Sequence, residues 1–270
     1  SLRGDLAEHP HLVSTYDFIL RQKSFAKQLT PEVVVQIGPL PTSKVLRQWL
    51  SDCEPWGLQL GRPGENIDST HGKWRRIDAE LVTASQPISS LALADDTQLP
   101  LWRKLQQRAL KKLNRIANTR WTFEGRTVAL LAEHLNSQDL LVVGNSMPIR
   151  DFNSVFPRAA SRMRVFSNRG LSGIDGLIAS AAGIALGSGR ETHAILGDLS
   201  TLHDLPSLAL LSELRHRINC TIWVMNNRGG EIFRILDTAK AGGNPEWFTT
   251  PQEFDLSALA KSFRLSYSRV

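Results

Sequence analysis

The strongest constraint on the fold of this chain is a strand, helix and strand pattern in residues 193–225. Apolar runs at residues 193–196 and 221–225, both bounded by turn residues, are typical of short buried strands. Residues 205–217 carry the apolar repeat of a helix, and Pro206 is compatible only with the first turn of that helix. The pattern therefore predicts a βαβ unit whose two strands are parallel.

Polar residues and glycines follow both predicted strands, at the edge where open α/β folds bind ligands. Asp198 offers a carboxylate oxygen after the first strand, and Asn227 offers an amide oxygen after the second. At Gly229 and Gly230 the backbone can approach a ligand closely because no Cβ intervenes. Such oxygens suit Mg²⁺, which also keeps waters and binds phosphate. Together these residues predict half of a metal-diphosphate site, although each pair alone is more often a strand end or a turn.

The same residues carry a family resemblance. Gly197-Asp198 and the pair Asn226-Asn227, with residues 200–225 between them, resemble the thiamine diphosphate motif Gly-Asp-Gly followed by Asn-Asn. Leu199 stands at the third position of Gly-Asp-Gly, where that motif has glycine. Gly-Asp-Leu-Ser with Asn-Asn-x-Gly-Gly-x-Ile-Phe is similar to the MenD family, thiamine diphosphate-dependent synthases of menaquinone and phylloquinone biosynthesis.

Two further blocks carry the resemblance. Residues 167–176, Ser-Asn-Arg-Gly-Leu-Ser-Gly-Ile-Asp-Gly, recur nearly unchanged in the MenD family, and residues 145–150 match its Asn-Ser-x-x-x-Arg. The glycines of the first block do not form the Gly-x-Gly-x-x-Gly pattern of dinucleotide sites. In the second block, Pro148 interrupts the Gly-x-Ser-x-Gly pattern of a nucleophile elbow. The blocks therefore favour the MenD family over a dehydrogenase or a serine hydrolase.

The resemblance implies which residues bind the cofactor and its metal ion. Asp198, Asn227 and the Gly229 carbonyl would hold Mg²⁺, or Mn²⁺, against the diphosphate of thiamine diphosphate. Ile174 would hold the cofactor in its V shape. The implied cofactor-binding set is Asn145, Ser146, Ile174, Gly197, Asp198, Leu199, Ser200, Asn227, Gly229, Gly230, Glu231 and Ile232.

The resemblance also implies the substrates, 2-oxoglutarate and isochorismate. Ser146, Arg150 and Arg169 would hold the carboxylates of 2-oxoglutarate, a role that suits arginine because its planar guanidinium can bind a carboxylate through two hydrogen bonds. An ordinary surface salt bridge is the alternative for Arg150. With Ile174, those three residues form the implied catalytic set, and the implied substrate-binding set is Lys44, Asn145, Ser146, Arg150, Arg169, Ile232 and Phe233.

The first part of the chain predicts a smaller α/β domain. Residues 32–37 and 56–60 are typical of strands, and residues 41–50 of a helix that Thr42 or Ser43 caps. This part resembles the middle domain of the MenD family, in which a lysine at the place of Lys44 reaches the isochorismate site. Val45 stands where the family commonly has an arginine, and a solvated lysine is the alternative for Lys44.

The predicted fold class is α/β, with two doubly wound parallel-sheet domains of which the second has the thiamine diphosphate fold. We assign residues 1–95 to the middle domain, residues 96–122 to a linker and basic helix, and residues 123–270 to the diphosphate-binding domain. Other expected elements of the second domain are a strand at residues 139–144, a loop at residues 237–250, and helices at residues 123–135, 178–187 and 254–263.

The chain is expected to be part of a longer protein, cut at both ends. Nothing in it matches the pyrimidine-binding domain that supplies an activating glutamate in the MenD family, where sites form between subunits. The resemblance therefore implies a homo-oligomer, a dimer or tetramer, in the full-length enzyme. It also implies that the 270-residue chain alone binds the cofactor weakly and does not turn over.

Composition narrows the remaining function classes. The net charge of +6 is concentrated in residues 103–115, where helical apolar spacing favours a solvated basic face. Because no zinc-finger or RNA-binding signature accompanies this charge, we predict no nucleic-acid partner. Cys53 and Cys220 are too few for a disulfide framework, and no apolar run spans a bilayer. These features predict a cytoplasmic protein, or a plastid or peroxisomal one in a plant.

Three functions compete at this stage. The first is the MenD reaction, decarboxylation of 2-oxoglutarate and addition of the resulting succinyl group to isochorismate. The second is another thiamine diphosphate-dependent decarboxylase or an acetolactate-type carboligase, although paired arginines at 150 and 169 favour a dicarboxylate donor over pyruvate. The third is a non-catalytic module that retains the fold.

Overall fold

A computed structural model describes residues 9, 11–62, 70, 72–78, 98–117, 123–155, 163–236, 242 and 244–270. The chain divides into two compact units, one within Glu8–Trp121 and the other comprising mainly Thr122–Val270. Each unit contains a parallel sheet, as the predicted α/β class requires. None of the helices in the described ranges combines the length and the apolar character that a membrane span needs.

The first unit contains a three-stranded sheet in the order β1-β2-β3. Val33 is opposite Trp56, and Gly57 is opposite Trp74, in parallel register. Ser43 caps the third helix by accepting a hydrogen bond from the Leu46 N–H at 3.1 Å, as one of the two predicted caps. The described elements are α1 (Tyr16–Leu20), α2 (Lys23–Gln28), β1 (Val33–Ile37), α3 (Lys44–Cys53), β2 (Trp56–Gly61), β3 (Trp74–Asp78) and α4 (Leu99–Ala117).

The basic helix α4 packs inside the first unit. Leu105 is buried in a cluster with Ile19 and Leu29, so the apolar face of the helix is used for packing. The opposite face is exposed and carries the predicted set of charges, Arg103, Lys104, Arg108, Lys111, Lys112 and Arg115. Most of the expected linker before it lies outside the described residues.

The second unit contains a four-stranded parallel sheet in the order β5-β4-β6-β7. The described elements are α5 (Glu124–His134), β4 (Leu140–Val143), α6 (Met147–Val155), β5 (Arg164–Phe166), α7 (Leu177–Ser188), β6 (Thr192–Gly197), α8 (Asp198–His203), α9 (Ser207–Leu214), β7 (Cys220–Met225), α10 (Ile232–Ile235), α11 (Glu246–Thr249) and α12 (Leu256–Ser262).

Both faces of the second sheet are covered by helices. On β4, Val142 belongs to one buried cluster, and its neighbours Leu141 and Val143 belong to another. Helices α7 and α9 supply the first cluster, whereas α5 supplies the second and α6 packs against it. This alternation follows from the two-residue period of a strand and gives the doubly wound arrangement that the sequence predicts.

The predicted strands and long helices of the second unit are confirmed within a few residues at each end. Sequence analysis missed β5, α6 and α8, which are short or closely follow a strand. The prediction of a continuous loop at residues 237–250 is wrong at α11. There Asn244 Oδ1 accepts a hydrogen bond from the Glu246 N–H at 3.0 Å, and Pro245 precedes the first helical residue, so a helical turn begins.

Candidate functional site

Strands β6 and β7 end side by side. They are neighbours in the sheet, and Gly197 is opposite Met225 in parallel register. Asp198 begins α8 directly after β6, and Asn227 follows β7 by two positions. The predicted juxtaposition of these two chain segments is therefore confirmed, whereas the binding of an ion by them stays a prediction.

The Asp198 carboxylate joins the two strand ends. Its Oδ2 accepts a hydrogen bond from the Gly229 N–H at 2.7 Å, and its Oδ1 accepts one from the Leu199 N–H at 2.7 Å. The side chain is only 2% exposed, and this burial raises the pKa of the Asp198 carboxyl, an effect that the backbone donors partly oppose. A cation beside Asp198 would stabilise its charged form.

The Asn227 amide is paired at one end only. Its Nδ2 donates to Glu124 Oε1 at 2.5 Å, whereas its Oδ1 is buried and has no hydrogen-bond partner among the described residues. A buried acceptor without a donor costs about 1–3 kcal/mol, so native proteins rarely retain one without a ligand, an ion or a water nearby. The amide oxygen therefore marks a place for a bound group.

The loop after β7 has a conformation that requires glycine. Arg228 has a φ of +66° and Gly229 a φ of +149°. A Cβ on Gly229 would lie 2.6 Å from the Thr249 carbonyl oxygen, and the Gly230 N–H donates to the same oxygen at 2.6 Å. The N–H of Gln252 donates to the Arg228 carbonyl at 3.0 Å. The last residue of α11 and the segment after it thus pack on this loop.

The residues at this edge fit a metal-bound diphosphate. The described part of the chain holds no cluster of three or more His, Cys, Asp or Glu residues suited to a metal. A cation here would therefore depend on one carboxylate, that of Asp198, together with neutral oxygens such as Asn227 Oδ1 and the Gly229 carbonyl. Mg²⁺ accepts such a set when a phosphate group and waters complete its coordination.

A second cluster of predicted residues lies at the end of β4. Asn145 is 2% exposed, and its Nδ2 donates to the carbonyls of Asn168 at 2.9 Å and Gly173 at 2.6 Å. Its Oδ1 accepts from Arg169 Nη1 at 2.5 Å. The amide of Asn145 therefore connects the glycine-rich loop, residues 167–176, to the end of β4 and holds the Arg169 guanidinium there.

Ser146 and Arg150 belong to the same cluster. Ser146 has a φ of +68°, a left-handed conformation that is uncommon for a residue with a side chain and recurs at functional sites. Its carbonyl accepts a hydrogen bond from Arg150 Nη1 at 2.5 Å, one turn later in α6. These hydrogen bonds gather four of the predicted residues at the end of β4, which is the neighbour of β6 in the sheet.

The glycine-rich loop leads into α7. Ile174 is half-buried in this loop, and Gly176 has a φ of +65° just before the helix. Asp204 caps α7 by accepting from the Ile178 N–H at 2.6 Å and from the Ala179 N–H at 3.3 Å, and it also accepts from the Ser207 hydroxyl at the start of α9 at 2.7 Å. The loop is therefore fixed at both ends, by Asn145 and by the cap of α7.

The remaining predicted residues of the cofactor cluster surround the loop after β7. Leu199 packs beside Gly230, since a Cβ placed on Gly230 would lie 3.4 Å from its Cδ1. Ser200 is 3% exposed and Ile232 is 8% exposed. Glu231 forms an ion pair with Arg234 at 2.8 Å.

Two other predicted residues are less enclosed. Phe233 is 37% exposed, and its ring centroid lies 6.5 Å from that of Phe248 in α11. Lys44 belongs to the first unit, where it is the exposed first residue of α3. The structure gives no relation between Lys44 and the clusters of the second unit.

Sequence analysis missed two acidic residues near these clusters. Glu124 reaches Asn227 from the first turn of α5, and Asp151 follows Arg150 in α6. Burial, together with the negative charge of Glu124, raises the pKa of Asp151 to about 7, although Arg150 opposes this. Asp151 Oδ2 is also buried and lacks a partner among the described residues. No local pattern marks either residue, because only the packed fold brings them to the edge.

Comparison with known proteins identifies a family whose sequences match part of this chain. Residues 151–270 match the thiamine pyrophosphate enzyme family, C-terminal TPP binding domain. The chain is also similar to proteins named 2-succinyl-5-enolpyruvyl-6-hydroxy-3-cyclohexene-1-carboxylate synthase. The protein of this name from Thermosynechococcus vestitus is 36% identical over 260 residues, which are 96% of this chain and 45% of that protein.

Two further relatives of the same name give similar values. The protein from Synechococcus sp. strain JA-3-3Ab is 34% identical over 271 residues, 100% of this chain and 45% of its own. The protein from Trichodesmium erythraeum is 33% identical over 274 residues, 100% of this chain and 47% of its own. The chain therefore spans about half the length of the curated relatives that it matches.

Proposed function

We infer from homology over nearly its whole length that the chain belongs to the MenD family, the 2-succinyl-5-enolpyruvyl-6-hydroxy-3-cyclohexene-1-carboxylate synthases. From this premise we propose that it supplies the diphosphate- and donor-binding part of such an enzyme. The proposed reaction decarboxylates 2-oxoglutarate and adds the succinyl group to isochorismate. The observation that carries the proposal is the hydrogen bond from the loop after β7 to Asp198, in a loop where the buried Asn227 Oδ1 has no partner among the residues that the structure describes.

Asp198, Asn227 and the Gly229 carbonyl would hold Mg²⁺, or Mn²⁺, against the diphosphate. A divalent cation offsets the repulsion between the diphosphate and the buried Asp198 carboxylate, and it gives Asn227 Oδ1 a partner. Bound thiamine diphosphate supplies the electron sink for decarboxylation. The work of the chain is to bind this group, orient it and compensate its charge.

The end of β4 would hold the acyl donor. Arg169 forms no ion pair within the described part of the chain, and its hydrogen bond to Asn145 is to a neutral oxygen. Arg150 donates to the Ser146 carbonyl, which holds its guanidinium at the same strand end. Two guanidinium groups held at this strand end suit a substrate with two carboxylates.

The remaining parts of the proposal are broader. Residues 1–95 would form the middle domain with Lys44 at the isochorismate site, and Ile232 and Phe233 would line the pocket. Residues 123–270 would form the diphosphate-binding domain after a connecting segment at 96–122. We further propose that the enzyme is homo-oligomeric. We also propose a cytoplasmic location, which agrees with the two free cysteines, Cys53 and Cys220.

Donor choice tests this proposal. In the full-length enzyme, Arg169→Ala should raise the half-saturating concentration of 2-oxoglutarate roughly 10- to 100-fold, because a charge-assisted hydrogen bond contributes about 1.5–3 kcal/mol. Arg164→Ala, at an exposed arginine on β5, is the matched control and should leave this concentration unchanged. Steady-state decarboxylation rates measure both variants.

The same assay separates the proposal from its alternatives. An unchanged 2-oxoglutarate requirement in Arg169→Ala would reject the donor-binding role. Equal use of pyruvate and 2-oxoglutarate by the parent enzyme would favour an acetolactate-type carboligase. Decarboxylation of neither 2-oxo acid by the full-length protein would favour a non-catalytic module.

A further inference from the structure

Glu124 contacts the proposed metal site from a distant part of the chain. It opens α5, and its Oε1 accepts the hydrogen bond from Asn227 Nδ2 at 2.5 Å, across 103 positions of sequence. Neither the motif nor the proposed donor and metal sets include this residue. Its contact is with the side chain that carries the unpaired buried oxygen.

The two ends of an amide differ in chemistry. An ionised carboxylate can only accept hydrogen bonds, so Glu124 can pair with the NH₂ end of Asn227 and not with its oxygen. The pairing therefore leaves Oδ1 as the end that is available to another group. The hydrogen bond from the Gly229 N–H to Asp198 holds the same loop against the end of β6.

The position of Glu124 is itself well defined. It lies in the first turn of an eleven-residue helix, where the positive end of the helix dipole stabilises a carboxylate. The next residue, Gly125, is buried, and a Cβ there would lie 2.6 Å from the Phe123 ring and 2.9 Å from Val155 of α6. Close packing of α5 on α6 thus fixes the turn that carries Glu124.

We propose that Glu124 is a positioning residue for the metal site: by accepting the Asn227 amide hydrogen, it directs Asn227 Oδ1 towards a divalent cation. Its negative charge also polarises the amide and increases the electron density on that oxygen. The inference rests on the proposed function, since it requires a cation between Asp198 and Asn227. It adds a residue that acts through another side chain and does not touch the ion.

Metal affinity tests this role directly. Mn²⁺ is added to the full chain in the presence of saturating thiamine diphosphate, and electron paramagnetic resonance measures the concentration of Mn²⁺ that remains free. Glu124→Met removes the acceptor at similar size and should weaken Mn²⁺ binding roughly 10- to 100-fold, the usual range for a residue that orients a metal ligand. Glu124→Gln keeps an acceptor oxygen and should restore the affinity to within about three-fold of the parent.

Two controls separate the possible failures. Glu54→Ala removes an exposed carboxylate in the first unit and should bind Mn²⁺ as the parent does. Asp198→Ala removes the proposed direct ligand. If Asp198→Ala binds Mn²⁺ as tightly as the parent does, the proposed function fails. If Asp198→Ala loses Mn²⁺ binding and Glu124→Met keeps the parent affinity, only the role of Glu124 is overturned.

A measurement on the unchanged protein covers the case in which Glu124→Met does not fold. In nuclear magnetic resonance spectra, an Asn227 side-chain N–H that donates to a carboxylate should resonate downfield. Mg²⁺ and thiamine diphosphate should leave that N–H bonded. Loss of the downfield signal on adding Mg²⁺ would overturn the proposal, because the amide would then have changed its partner.

Discussion

The glutamine pair of the first unit and Asn227 of the second unit differ in how their buried amide atoms are paired. In the first unit Gln36 and Gln59 are opposite each other on β1 and β2 and are 5% and 3% exposed. Gln59 Nε2 donates to Gln36 Oε1 at 3.3 Å, and Gln36 Nε2 donates to the Gly38 carbonyl at 2.9 Å. In the second unit Asn227 Oδ1 is left unpaired within the described residues. A buried amide alone therefore does not indicate a site, whereas an unpaired buried acceptor requires an explanation such as a bound group.

Asp17 and the half-buried Asp151 show the same contrast. Asp17 in the first unit accepts hydrogen bonds from Arg21 at 2.9 Å and from the Ser43 hydroxyl at 2.6 Å. Asp151 in the second unit has one oxygen without a partner in the described residues. Within that part of the chain, the buried unpaired side-chain atoms are Thr15 Oγ1 in the first unit and Arg126 Nε, Asp151 Oδ2, Ser167 Oγ and Asn227 Oδ1 in the second.

Replacing one member of the glutamine pair should have the largest effect on stability. Gln59→Leu removes the donor to Gln36 Oε1 and should lower the free energy of unfolding by about 1–3 kcal/mol. The double variant Gln36→Leu/Gln59→Leu should cost less than the sum of the two single changes, since no buried amide then loses its partner. Chemical denaturation measures all three variants.

These glutamine variants also test whether the contrast between the two units reflects a binding site in the second unit alone. Thiamine diphosphate affinity should stay at the parent value in each of them, because the pair is satisfied within its own sheet. A several-fold fall in that affinity would show that the first sheet also contributes a binding site, and the contrast between the units would be lost.

A smaller and pH-dependent effect is expected at Asp151. Its pKa of about 7 in the folded chain lies above the ordinary 3.8, so between these values the unfolded chain releases a proton that the folded chain retains. Stability therefore falls as pH rises through this window, by at most about 1.4 kcal/mol per pH unit from this group. Asp151→Asn should raise the free energy of unfolding by about 1–2 kcal/mol at pH 8, after allowance for solvent screening, and leave it unchanged near pH 4.

Asp175→Asn is the matched control, because Asp175 is an exposed aspartate in the same unit. It should show no such pH-dependent gain in the free energy of unfolding from urea titrations at the two pH values. A gain of equal size at pH 4 and pH 8 in Asp151→Asn would contradict the assignment of the raised pKa to this carboxyl.

The sequence was most informative where a local pattern determines the structure. Apolar periodicity predicts β4, β6, β7 and α7, and the parallel βαβ rule brings Asp198 and Asn227 to one edge. At the same edge, the polar run at residues 145–150 is predicted from its place after a buried strand. Each of these inferences starts from patterns within single strands and helices and from the turns that follow them.

What sequence reasoning missed depends on long-range packing. Glu124 and Asn227 are 103 positions apart, and nothing near either residue identifies the other. Strand β5 has only three residues, too few to show a period. The contact of Gly229 with Thr249 also requires the helical turn α11. This turn has only four residues among polar neighbours, so no apolar periodicity predicts it.

The central claim is that the ends of β6 and β7 share one divalent cation that holds thiamine diphosphate. Titration calorimetry of thiamine diphosphate with and without Mg²⁺, on the parent chain and on Asp198→Asn, tests it most directly. The account predicts that Mg²⁺ tightens binding to the parent at least roughly 100-fold and has little effect on Asp198→Asn, which keeps the shape but not the charge. An equal Mg²⁺ dependence in both proteins would contradict the claim.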